Sequence, residues 1–173
     1  IHLYVSSAVG STENTGCSAE FILSFLDAGD EQHMVVEARN TTPASIGSRL
    51  VAFGFELPDS PPFDLAFAPD GTSIYFRMLT ADYVVSPGWL NPADGFDLMV
   101  TRTGSFEGGG NPNAAPGPGE SQTVIISLGD TGKSAPELET LFSTYYGAQT
   151  SPFVIARFRA VGPDGEDSDK VVG

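Results

Sequence analysis

Cysteine is almost absent from this chain: Cys17 is the only one in 173 residues, so no internal disulfide staples the fold. A lone cysteine is read as a buried, inert thiol. Basic residues are nearly as scarce. Only Lys133 and Lys170 represent lysine, and 8 basic residues face 22 acidic ones for a formal charge of -14. Binding to a phosphate backbone depends on lysine and arginine releasing counterions, which argues against nucleic acid and anionic membranes as partners. Long apolar runs are missing too; none approaches the roughly 18 residues a spanning helix needs. Histidine is limited to His2 and His33, and neither Gly-x-Ser-x-Gly nor His-Glu-x-x-His occurs, so hydrolases built on these motifs have no foothold. Residue 1 is Ile and the run Ile1 to Val5 is too short for a signal peptide, which reads as a processed, secreted chain.

What is present is alternation. Phe21, Leu23 and Phe25; Met34, Val36 and Ala38; Val51, Phe53, Phe55 and Leu57; and Val154, Ala156, Phe158 and Ala160 repeat with the two-residue period of a half-buried strand. Between them stand turn signals such as Asp27 to Asp30, Pro58 to Pro62, Pro69-Asp-Gly71, Asn91 to Gly95 and Pro163-Asp-Gly165. The pattern predicts about nine strands, near 2–7, 19–26, 32–40, 48–57, 73–79, 82–86, 95–103, 121–129 and 152–161. One segment has helical spacing instead: Ser134 as N-cap, Leu138, Leu141, Phe142 and Tyr145 as the apolar stripe, and Gly147 as the stop, giving a capping helix over 134–146. Many strands without βα alternation predict a single all-β domain, a two-sheet antiparallel sandwich of the jelly-roll or immunoglobulin-like kind. A chain of this length buries roughly 70% of its unfolded surface without help from a metal. The Gly/Pro/Asn stretch 104–119 is expected to be a long exposed loop.

Six patterns carry candidate chemistry. Asp164, Glu166, Asp167, Ser168 and Asp169 crowd oxygen ligands into an acidic end loop, and the first, second, third and last of these carboxylates suit a hard ion, with calcium as the cofactor. Asp27, Asp30 and Glu31 form a weaker second cluster. Tyr83, Trp89 and Asn91 could build a flat aromatic platform beside a side-chain amide, the chemistry of a carbohydrate-binding module, although a tryptophan beside Pro87 and Gly88 also reads as a loop anchor. Ile1 to Ser7, with Ile1, Leu3, Tyr4 and Val5, is a β-forming strip ahead of a flexible segment and could either be donated to a neighbouring subunit or pair within its own sheet. Ser127 to Ser134 imitates a phosphate-binding loop around Lys133, but Ser127 occupies the place of the first glycine and no parallel sheet is foreseen. Asn40-Thr41-Thr42 fits the N-glycosylation pattern.

The segments Asn40 to Pro58 and Pro152 to Gly173, with Gly95-Phe-Asp-Leu98, Phe106 to Gly110 and Gly117 to Ser121 between them, resemble the secreted ectodomains of bacterial PEP-CTERM proteins. That resemblance implies export, cell-surface sorting and association with exopolysaccharide and biofilm, with a β-sandwich ectodomain of no known activity. The defining Pro-Glu-Pro signal, membrane segment and basic tail are not among these residues, as they would not be after removal of the tail. The expected function is that of a secreted, non-enzymatic structural protein with no catalytic residues, a filament or matrix subunit partnered by itself or by extracellular polysaccharide. The alternatives are a lectin-like module and a secreted hydrolase acting through paired carboxylates.

Overall fold

The computed structural model describes residues 1–107, 111–150 and 152–173. Among these residues ten strands form two antiparallel five-stranded sheets packed face to face. The strands are β1 (His2–Ser6), β2 (Ser18–Ala28), β3 (Glu31–Asn40), β4 (Arg49–Phe55), β5 (Ala66–Phe67), β6 (Met78–Tyr83), β7 (Phe96–Thr101), β8 (Ser121–Ser127), β9 (Val154–Val161) and β10 (Asp167–Val172), with one helix, α1 (Ala135–Ala148), between β8 and β9. One sheet runs β1-β2-β3-β8-β5 and the other β10-β9-β4-β7-β6. The expected sandwich with a short helix is therefore the fold. The β2–β3 hairpin has a two-residue turn with Gly29 at φ +71°, a conformation glycine adopts without strain.

The alternating residues do face inward. Phe21, Phe53, Phe55 and Phe76 form the centre, with ring centroids 5.0 to 5.6 Å apart in tilted and edge-on pairs. Gly54 lets β4 and β7 approach: a Cβ there would lie 2.8 Å from the Leu98 carbonyl oxygen. At one end of the sandwich α1 supplies Leu138, Phe142 and Tyr146 as buried residues, with Phe142 against Phe25 and Phe63. Glu137 accepts hydrogen bonds from the Ser134 N–H and hydroxyl at the helix start.

Several boundaries differ from expectation, each for a local reason. The helix passes through Gly147 and ends at Ala148, because Gly147 keeps helical geometry rather than the left-handed conformation of a stop. The segments 73–79 and 82–86 contribute one strand, β6, because Tyr75 and Phe76 turn into the core before it begins. The acidic end is a strand, β10, paired with β9 from Asp167 to Val172.

The largest difference is a second apolar layer. Ala52, Phe96, Met99, Ile155 and Val172 face away from the main core, and Val85, Leu90 and Phe106 cover them. The central strands of that sheet are thus buried on both faces, which explains why Leu50 to Phe55 is a continuous apolar run. Part of the 104–119 loop is accordingly packed, with Phe106 in this second layer and Ala115 in the main core. Gly108 to Gly110 of that loop lie outside the described residues.

Candidate functional site

The acidic end was the first candidate, and it divides: Glu166, Asp167 and Ser168 line one shallow cavity with Glu13 and Thr15, while Asp169 turns inward. Asp164 and Glu166 are exposed at the turn before β10, and Asp167 is exposed on its first position. Asp169 points inward and is fully buried, because β10 alternates. Its Oδ1 accepts from the Thr12 hydroxyl at 3.0 Å and the Glu13 N–H at 3.1 Å; its Oδ2 accepts from the Thr15 hydroxyl at 2.7 Å and the Thr15 N–H at 3.1 Å; the Ser11 hydroxyl reaches both. Burial alone would raise this carboxyl, but these hydrogen bonds outweigh burial and hold it below the ordinary carboxylate value. Asp169 is thus the hub that ties segment 11–15 to the edge of β10. Among the described residues no three His, Cys, Asp or Glu side chains are grouped to hold a metal. The second cluster is divided as well: Asp27 accepts from the Ala135 N–H at the helix start, Glu31 accepts from the Ser127 hydroxyl, and Asp30 is exposed in the hairpin turn.

The aromatic platform does not assemble as expected. Asn91 turns its amide into its own loop, accepting from the Val85 N–H and donating to the Val85 and Gly88 carbonyls. Tyr83 is half-buried against Phe106. Trp89 alone is displayed, 56% exposed, on a 3-10 turn whose next residue, Leu90, is the real anchor in the second core.

Ile1, Leu3, Tyr4 and Val5 are all in use within the chain. β1 pairs antiparallel with β2, Leu3 and Val5 lie in the core, and the N-terminal ammonium donates to the Leu23 carbonyl at 2.8 Å. Tyr4 donates to Glu20, which also binds His2 and Arg39, so a polar network on the outer face locks β1 to β2 and β3. Within the single chain, β1 therefore pairs internally. His33 is mostly covered on the same face, 3.8 Å from Glu31. Asn40 is fully buried and its amide donates to Ser48 and to the Pro116 carbonyl, so the glycosylation pattern is inaccessible in the folded chain. Lys133 leads into α1 from an antiparallel strand, without the parallel frame of a phosphate loop. Cys17 is buried and free, its thiol pushed up by burial.

Two surfaces that the sequence reading did not single out stand out. One is a cleft of about 340 Å³ between the proline-rich turn Pro58 to Pro62 and the strands carrying Asp82 and Asp97. Asp82, at φ +52°, stands beside Asp97 on the neighbouring strand, and the Leu57 N–H donates to Asp97 at 2.6 Å. Burial, then the nearby Asp82 and Asp59, push the Asp97 carboxyl up. Glu56, next to the cleft wall, is also pushed up by burial and by surrounding carboxylates, with Tyr145 partly offsetting this; its Oε2 is buried with no hydrogen-bond partner. Such groups hold a proton above the usual carboxylate range. The signal was present in the sequence as single acids between apolar residues, Phe55-Glu56-Leu57 and Phe96-Asp97-Leu98.

The other surface is the edge formed by β6. It ends its sheet, and Met78 is 46% exposed on it, with Ile74 (74%) just before and Val84 (68%) just after. The remaining edges are blunted: β5 has two residues, segment 10–12 bonds to β10 through Thr12 to the Lys170 carbonyl and Val172 to the Gly10 carbonyl, and β1 lies against Gly173. Compared with protein-family models, curated proteins and solved structures, the chain matches none of them.

Proposed function

We propose that this chain is an extracellular structural subunit that works without catalysis, by associating with copies of itself through the edge of β6. One observation carries the reading: among the described residues nothing pairs with the outer side of the six-residue edge strand β6, which carries the exposed Met78 and is flanked by the exposed Ile74 and Val84, while the other three sheet edges are short or occupied. An uncovered edge presents unpaired N–H and C=O groups that a second strand satisfies, and the exposed Ile74, Met78 and Val84 gain by leaving water in the same contact. The left-handed residue Asp82 ends the flat stretch, so pairing is confined to Met78 through Ala81. A short contact of this kind is reversible and suits a matrix or lattice in which many weak contacts add. Secretion and a place at the cell surface follow from the resemblance of its segments to PEP-CTERM ectodomains.

Light scattering and sedimentation of the intact protein over a range of concentrations test the reading. Native protein is expected to associate, and Ile74→Lys with Met78→Lys to leave it monomeric with unchanged melting, since both side chains are exposed. A native protein that stays monomeric at every concentration, or a double variant that associates as well as the native chain, defeats the proposal.

A further inference from the structure

We propose that a groove of about 390 Å³ beside Trp89 binds a neutral pyranoside unit of a polysaccharide, stacked on the indole face and held at its edge by Gln149 and Thr150. The site is distinct from β6 and does not depend on self-association.

The argument begins with how Trp89 is held. Its neighbours are fixed: Leu90 is buried beneath the turn, the Asn91 amide makes three bonds across the loop, and Lys170 donates to the Ser86 carbonyl and pairs with Glu107. A loop braced from both sides could have buried its largest apolar side chain, yet it presents the ring to solvent on a fixed stretch of backbone. A rigid ring loses little freedom when a ligand stacks on it. Gly10 keeps the space beside it open, since a Cβ there would lie 2.8 Å from Val172 Cγ2 and 3.6 Å from Trp89 Cζ3.

The lining then selects the ligand. Phe153, Val172 and Val9 continue the apolar floor, while Gln149 and Thr150 bring an amide and a hydroxyl to the rim. Neither of these side chains, nor the indole N–H, has a hydrogen-bond partner among the described residues. Donors and acceptors next to a flat apolar ring match the two characters of a sugar, whose C–H face stacks and whose hydroxyls bond sideways. A purely aliphatic ligand would leave those polar groups unmatched. No charged side chain lines the groove, and a molecule of charge -14 repels uronate or sulfated units, which leaves a neutral sugar as the fitting occupant. This pairs Trp89 with groups far away in sequence, in place of Tyr83 and Asn91.

Trp89 is the only tryptophan, so its emission reads this groove directly. The intact protein is titrated with cellohexaose, chitohexaose and mannohexaose to about 1 mM, a range that detects weak single-site binding. The expected result is a saturable emission change with at least one of them, weakened several-fold by Gln149→Ala and by Thr150→Ala and unchanged by Tyr83→Phe. In affinity electrophoresis through the matching polysaccharide, Trp89→Ala should lose about tenfold or more in affinity, as for a lost ring-stacking contact, while melting like the native protein. Silence with all three sugars overturns the proposal. So does a response indifferent to Gln149→Ala and Thr150→Ala, and so does an emission change that follows protein concentration rather than sugar, which would make the groove an interface between copies.

Discussion

At the scale of single residues, the acids of this chain do opposite things to stability. Asp169 is buried and accepts from five donor groups supplied by Ser11, Thr12, Glu13 and Thr15. Asp169→Asn would set an amide N–H₂ against donors, so it should cost about 2–4 kcal/mol, measured by urea unfolding. Because its carboxyl is held below the ordinary value, the stability it contributes is complete above about pH 4 and disappears as the pH falls through the depressed folded value. Glu56 has the opposite sign. Burial raises it, so the folded state pays nothing below the ordinary carboxyl range and is penalised as the pH rises through the raised folded value. Glu56→Gln should therefore raise the melting temperature at pH 8, and the difference should vanish near pH 4. Calorimetry at the two pH values checks it, and an equal gain at both would contradict the argument.

At the scale of elements, β1 has the most to test. The alternation of Ile1 to Ser7 was legible in the sequence, but its destination was not. Leu3 and Val5 fill the core beside Phe21, and the Glu20 network holds the strand from outside. Deleting residues 1–7 should lower stability by several kcal/mol and expose apolar surface, seen as a dye-binding increase, at about 1.5–3 kcal/mol for each large side chain uncovered. A truncated chain as stable as the full one would revive the idea of a detachable strand. Other elements were readable only in part. Alternation found β2, β3 and β9 because one face of each is plainly apolar. It missed β10, since Ser168, Asp169 and Lys170 look like a solvated loop until the buried carboxylate is seen to be satisfied by a segment more than 150 positions earlier in the chain. It also missed the layer formed by Val85, Leu90 and Phe106, because nothing in a period of two says what covers a strand's other face.

At the scale of the whole molecule, charge and edges oppose each other. Copies with a formal charge of -14 repel, and the uncovered β6 edge attracts. Screening shortens the repulsion to about 10 Å at 0.1 M salt and leaves the apolar contact intact. Self-association should thus strengthen with added sodium chloride, the reverse of a complex held by ion pairs; weakening with salt in sedimentation would refute the β6 edge as the contact.

Composition and periodicity by themselves settled the all-β class, the single helix and the likeness of this chain to a two-sheet sandwich, because side chains that alternate along a strand must sort between core and solvent wherever the strand sits. Only the tertiary structure decided which polar groups were left free. Asp169, Asn40 and Asn91 looked available and are consumed by partners, whereas Glu56 and the β6 edge looked ordinary and are left with a buried unpartnered oxygen and an unpaired strand side, and of the aromatic platform Trp89 stays displayed. Hydrogen-bond capacity is spent on whichever neighbours the fold brings near, and those neighbours lie far apart in the chain.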